Sequence, residues 1–281
     1  MDITDTIICV LSDMHSGSTK ALIPNKFHQF KHSNHTPTPE QRDIWRHFEY
    51  CAKVIRKARA RKRLIIIHDG DALEGSHHGS HQVVTHNPVE QLDIHVELMD
   101  YFMREVKYKD GDKLYYVSGT ETHTNDYEEQ CAADLGAEKT AHGNHVYDKL
   151  ELTVNGFEIW VVHHGPRAGD GANIGNAMRN FLKNKVYYPC QQNNIKPPNM
   201  VITGHVHEPL FGAYIAWEGS GYHVVHGIIN AAWQNKTRFG YKVAPVALNK
   251  IGLTHFEILA SGDILPPKFE LMGNHEERVK V

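Results

Sequence analysis

The chain has 281 residues, 41% hydrophobic and 22% charged, which supplies a full buried core and excludes a disordered chain. A formal net charge of -3 excludes a global basic field for nucleic acid, while a local basic groove stays open. Cys9, Cys51, Cys131 and Cys190 lie far apart with no C-x-x-C pair, so a disulfide framework is not expected and buried thiols in a reducing compartment are.

The start, M-D-I-T-D-T-I-I-C-V, lacks the basic stretch and long apolar core of a signal peptide. No apolar run approaches the ~20 residues of a membrane span, so a cytoplasmic protein is expected. Ile7–Leu11 is a short buried-strand signal. Segment 21–40, with three prolines and no period, reads as a long surface loop. Residues 40–62 are helical, with Ile44, Trp45, Phe48, Ala52 and Ile55 as the apolar stripe. Leu64–Ile67 is a second strand. Asn87-Pro88 opens a helix as cap and first residue, and its predicted core stripe runs through Val89, Leu92, Val96, Met99, Met103 and Val106. Lys113–Val117 is a third strand, and 126–136 a helix ended by Gly136. Residues 146–154 and 157–163 alternate around Asn155-Gly156, the strongest short hairpin signal. Runs at 199–203, 211–217, 221–229 and 251–259 complete a strand-rich second half. The pattern predicts two sheets packed together and covered by helices.

Chemistry-bearing residues follow the strands. Ser12-Asp13-Met14-His15 comes after the first, and His68-Asp69-Gly70-Asp71-Ala72-Leu73-Glu74-Gly75 after the second. Ser118-Gly119-Thr120-Glu121-Thr122-His123 follows the third. Later strands lead into His163-His164-Gly165 and Gly204-His205-Val206-His207. In open α/β sheets, ligand sites gather at the carboxyl ends of strands. Asp together with neutral His suits divalent transition metals, and 22 histidines are ample supply.

These blocks resemble the ordered signature of the calcineurin-like metallophosphoesterases: D-x-H, G-D, G-N-H-[DE], H-G, G-H-x-H. Asp13–His15, Gly70-Asp71, His164-Gly165 and Gly204–His207 match it, over about residues 7–230. The third block departs. Gly273-Asn274-His275-Glu276 has the right letters but follows G-H-x-H, and is read as an exposed polar terminus. Gly143-Asn144-His145 is in order but lacks a preceding strand. Gly119-Thr120-Glu121-Thr122-His123 has both place and platform, and resembles the bacteriophage-encoded subset with G-T-x-x-H.

The resemblance implies an α/β (α+β) fold, a four-layer αββα sandwich of two mixed sheets flanked by helices. It implies one domain over 1–281, with 234–281 as an extension completing or flanking the second sheet. It implies metal ligation by Asp13, His15, Asp71, His123, His164, His205 and His207, with Asp71 bridging. Two divalent cations are expected, manganese first, with zinc, iron, nickel or magnesium as alternatives. His123 is either a metal ligand or the general acid. Arg167 and His78 are candidate substrate contacts, and His77, His81 and His86 are further cleft candidates. Asp69 is expected behind the ligands, Glu74 in the loop or at the substrate, and His163 pointing away from the metals by strand alternation. The implied reaction is hydrolysis of a phosphate ester, a phosphodiester of nucleic acid or nucleotide type being favoured. The alternative is a non-catalytic binding or scaffold module on the same fold.

Overall fold

The computed structural model describes residues 4–25, 35–76, 81–124, 126–169, 171–243 and 250–273. The first half runs β1 (Thr6–Ser12), α1 (Pro39–Arg59), β2 (Arg63–Asp69), α2 (Pro88–Glu105), β3 (Lys113–Val117), the short α3 (Glu121–Thr124), α4 (Tyr127–Asp134) and β4 (Val146–Tyr147). The second half begins with the hairpin β5 (Leu150–Val154) and β6 (Phe157–Val161). Then α5 (Asn176–Phe181) passes through a π-helical stretch, Leu182–Tyr187, into α6 (Tyr188–Gln192). There follow β7 (Met200–Thr203), β8 (Leu210–Glu218), β9 (Gly221–Ile229), α7 (Arg238–Val243), β10 (Gly252–Ile258) and β11 (Lys268–Leu271).

Two mixed sheets form, one ordered β11-β10-β1-β2-β3-β4 and the other β5-β6-β7-β9-β8. Every residue of β1 is buried, as expected of a strand covered on both faces. Alternation sends Ile7, Cys9 and Leu11 to α1 and α2, where they meet Phe48, Ile55, Leu98 and Phe102. It sends Ile8 and Val10 the other way, against Ile159, Val161, Ile202 and Ile228 of the second sheet. A third apolar cluster, with Met178, Leu182, Val201 and Val225, joins the far face of that sheet to α5 and the π-helical stretch. Three apolar interfaces between four layers are the expected sandwich. Each fully buried Leu, Ile or Phe contributes ~1.5–3 kcal/mol.

Local signals fix the helix starts. Thr38 and Gln41 form a capping box at α1, and Asn87 caps α2 by accepting from Val89 N at 3.1 Å. The buried face of α2 includes Leu92 and Met99 as predicted, but its flank is Ile94, Leu98 and Phe102, and Val89 is exposed. Asn155 (φ 51°) and Gly156 (φ 82°) make the β5–β6 turn, both left-handed as a type I′ turn requires.

Three expectations change. The run 146–154 is two strands, because β4 pairs with β3 in the first sheet while β5 pairs with β6 in the second. Ala21, Leu22 and Ile23 are buried rather than surface loop, with Leu22 N donating to Trp233 O at 3.0 Å. The described strands of segment 234–281 join the first sheet and not the second. Its β10 adds antiparallel to β1, where the otherwise open side of that strand accepts an apolar, buried partner. Among the described residues no helix is long and apolar enough to cross a membrane.

Candidate metal centre

Parallel strands β1, β2 and β3 end side by side, and parallel β6 and β7 end opposite them. Backbone pairing continues past the strands: Asp13 N donates to Gly70 O (3.0 Å) and His15 N to Asp71 O (2.9 Å). From the other sheet, His205 N donates to both carboxylate oxygens of Asp13 at 3.1 Å. Five side chains here leave backbones in the left-handed region: Asp13 (φ 51°), His15 (44°), Asp71 (51°), His205 (68°) and His207 (56°). Non-glycine residues adopt this conformation uncommonly, and such positions cluster at functional sites.

Asp71 is the centre of the arrangement. Its Oδ2 lies 3.1 Å from His163 Nε2, 3.8 Å from His205 Nδ1 and 4.0 Å from His15 Nε2. On one side Asp13, His15 and His207 gather, with His207 Nε2 3.2 Å from Asp13 Oδ1 and 3.3 Å from His15 Nε2. On the other, Asp71, His163 and His205 converge. In each trio, as in a third made of His15, Glu74 and His123, the ligand-type atoms lie within 4.8 Å of one another. Each trio joins two buried groups to one that is partly open to solvent, and these His, Asp and Glu groups are able to hold a metal ion.

Hydrogen bonding shows why a cation fits. His163 Nδ1 is 2.8 Å from Asp69 O, an acceptor, so this nitrogen carries the proton. Neutral His163 therefore aims the lone pair of Nε2 at the Asp71 carboxylate. His15 repeats the pattern: Nδ1 faces Glu74 Oε2 at 3.2 Å, which turns Nε2 toward His207 and Asp71. Acceptors that face acceptors need a positive charge between them. Without a metal, protons serve. Burial works against charge on His163, but hydrogen bonding to Asp71 and the nearby carboxylates raise it to about 10. Burial likewise opposes charge on His15, and Glu74 raises it to about 9. Burial pushes Asp13 up, yet His207 and His163 bring it down to about 2. A divalent cation with imidazole and carboxylate ligands would replace those protons.

The third block takes its place through backbone and hydroxyl. Thr120 N donates to Asp71 Oδ1 at 2.6 Å, and Thr120 Oγ1 lies 3.3 Å from Asp71 Oδ2 and 3.4 Å from both His164 Nε2 and His205 Nδ1. This approach requires Gly119, where a Cβ would stand 2.1 Å from Asp71 N. The buried Glu128 carboxylate on α4 ties both loops together by accepting from Ala72 N (2.9 Å) and Gly119 N (2.8 Å). By contrast, His145 of Gly143-Asn144-His145 pairs with Glu129 at 3.0 Å, outside the three trios.

Of the predicted ligands, Asp13, His15, Asp71, His205 and His207 lie together in the Asp13–His15–His207 and Asp71–His163–His205 trios. His123 packs beside His15, ring centroids 4.8 Å apart, with Nδ1 2.8 Å from Glu74 O. It joins the His15 trio and not the Asp71–His205 one. His164 is exposed at the rim, its ring 4.6 Å from that of His205. Arg167 is exposed on the loop beyond it. His77, His78 and residues 274–276 lie outside the described residues.

One residue departs from the alternation argument. His163 does not point away: it is in phase with the inward Phe157, Ile159 and Val161, and at the strand end the inward face is the site. Glu74 does lie in the loop, there as a buried carboxylate against His15 that also accepts from Gln234 Nε2 at 2.6 Å. Asp69 does lie behind the ligands, held by Asn230 Nδ2 at 3.1 Å.

No family model matches the chain, and no curated protein matches it. Among solved structures it is similar to the crystal structure of a protein of unknown function from Aquifex aeolicus. That likeness has 13% identity and a TM-score of 0.27, over 77% of this chain and 82% of that one.

Proposed function

We propose that this chain is a dinuclear-metal-dependent phosphoesterase of the calcineurin-like type, acting on a phosphodiester of nucleic-acid or nucleotide character. One observation supports it above the rest: the Asp71 carboxylate stands between the Asp13–His15–His207 group and the His163–His205 group. A carboxylate with one histidine set on each side could serve two divalent cations as a shared ligand.

Asp13, His15 and His207 would hold one ion; His163 and His205 would hold the other, with His164 at its rim. Manganese suits this mixed nitrogen and oxygen set, as do zinc and iron. Bound cations supply Lewis acidity toward a phosphate oxygen and lower the pKa of water toward ~7. The chain's own groups do the rest. Glu74 O accepts from His123 Nδ1 and fixes the ring, so that Nε2 is the atom that would carry the second proton of an imidazolium and pass it to the leaving alkoxide, returning the ring to neutral, a role typically worth ~10²–10⁴-fold. Exposed Arg167 offers a charge-assisted hydrogen bond to substrate phosphate.

The test is hydrolysis of bis-p-nitrophenyl phosphate and p-nitrophenyl phosphate by chelator-stripped protein before and after added manganese. Manganese-dependent hydrolysis, faster for the diester and lost in Asp71→Asn, is expected. Manganese binding with no turnover of either ester, or of oligonucleotides, would assign the non-catalytic role instead.

A further inference from the structure

The outer hairpin of the second sheet has a face that the sandwich does not cover. Phe211, Ile215, Trp217 and Tyr222 are 41%, 54%, 79% and 64% exposed. Phe211, Ile215 and Trp217 alternate along one face of β8, and Tyr222 stands directly across from Trp217 on β9, the rings 5.7 Å apart. Phe211 pairs across with Ile228, a member of the inter-sheet core, so this face is an overhang of that core beyond the first sheet. The opposite face, through Ala216 and Val225, is packed against the third cluster.

β8 is also an edge strand. Natural edges are commonly blunted by Lys, Pro or a bulge. Leu210-Phe211-Gly212-Ala213-Tyr214-Ile215-Ala216-Trp217 has no Lys, Pro or charge, and its pairing with β9 is continuous from Leu210 to Glu218. The two-residue loop Gly219-Ser220, with Gly219 at φ 59°, makes Glu218 and Gly221 the first hydrogen-bonded pair. Bonded pairs then alternate. Even-numbered residues of β8 bond to β9, and the N–H and C=O groups of 211, 213, 215 and 217 face outward.

We propose that this edge pairs with the same edge of a second copy, antiparallel about a two-fold axis at Tyr214. In that register Phe211 meets the partner's Trp217 and Ala213 the partner's Ile215. These are the residues with outward-facing backbone groups, and together they form one continuous apolar face. The two five-stranded sheets become one. At ~150–250 Å² per aromatic side chain, the exposed fractions amount to roughly 500 Å² on each copy. Edge pairing covers the flanks of Phe211, Ile215 and Trp217 that face the seam and leaves Tyr222, on β9, open, so with the paired backbones the contact falls below the ~1,200 Å² of a standard interface and is of the weak class. An isologous contact needs only this self-complementary edge.

Sedimentation of the full chain across the micromolar range tests the pairing. The expected mass is twice the 31.9 kDa of one chain. Ala213→Pro removes an outward N–H without touching the bonds to β9, and Ile215→Lys places a charge in the seam. Each change acts twice across the axis and should weaken the dimer by ~10-fold or more. Circular dichroism and thermal midpoint report whether either variant still folds. Tyr214→Cys supplies an independent readout: a non-hydrogen-bonded pair brings Cα atoms to ~4.5 Å, within disulfide range, so mild oxidation should give a covalent dimer. A wild-type chain that stays monomeric, its overhang covered by its own residues, overturns the proposal. So does a dimer that survives both edge substitutions with Tyr214→Cys uncrosslinked.

Discussion

Gly119→Ala probes the contact between the third block and the shared carboxylate. The added Cβ would stand 2.1 Å from Asp71 N and 2.5 Å from Asp71 Oδ1, so the loop has to withdraw by an ångström or more. Withdrawal breaks the 2.6 Å bond from Thr120 N to Asp71 Oδ1, a charge-assisted interaction worth ~1.5–3 kcal/mol. Overpacking adds ~1–3 kcal/mol. A destabilisation of about 4 kcal/mol is expected, read as a lower urea midpoint with unchanged slope by tryptophan fluorescence. Manganese titration should show ~10–100-fold weaker binding, the usual cost of losing a partner that orients a ligand. The control is Gly212→Ala, whose Cβ meets only Met178 Cγ at 3.5 Å, an ordinary contact. A Gly119→Ala protein with the midpoint and manganese affinity of the Gly212→Ala control would show that close approach at Gly119 does not hold the Asp71 carboxylate.

Glu74→Gln should leave the fold intact and weaken manganese binding ~10–100-fold, because His15 loses the carboxylate that fixes its tautomer; calorimetry checks this. Burial raises Glu128 to about 7 in the folded chain, above its unfolded value, so its stabilising contribution is full below about pH 4.5 and lost as pH rises through 7. Subtracting the urea stability of Glu128→Gln from wild type, both in chelator, should give a difference that falls by up to about 3 kcal/mol across that window. A flat difference would remove Glu128 as a buried titrating group. Asn155→Ala replaces a left-handed turn residue and deletes bonds from Nδ2 to Thr4 O (2.9 Å) and Leu259 O (3.0 Å), and should lower stability by ~1–3 kcal/mol in the same assay.

The elements that read clearly in the sequence are those whose pattern has one physical solution. Ile7–Leu11 and Leu64–Ile67 are apolar on both faces, which only a doubly covered strand satisfies, and Asn155-Gly156 fits one kind of turn. Residues 146–154 look uniform because β4 and β5 are both half-buried, and nothing local says that the chain changes sheets at Asp148-Lys149. Helices α5 and α6 escaped because Lys183-Asn184-Lys185 interrupts their apolar face. Asp13, His15, Asp71, His205 and His207 were legible because each sits in a Gly-containing turn or one residue from the other. His163 and Glu74 were harder, since their roles depend on which way an inward face points once the second sheet is packed on the first. The in-phase spacing of Phe157, Ile159, Val161 and His163 was nevertheless available as a signal.

The left-handed backbones at the centre also set a trade between durability and use. Glycine adopts that conformation without the ~1–2 kcal/mol penalty an L side chain carries. His205 and His207, partly open to solvent, surrender little packing if truncated. Glycine at the more exposed His205 should therefore let the metal-free chain outlast the natural one on heating, whereas at His207 it would strip buried Asp13 of its nearest imidazole. The sequence keeps His205 at the expense of its own resilience.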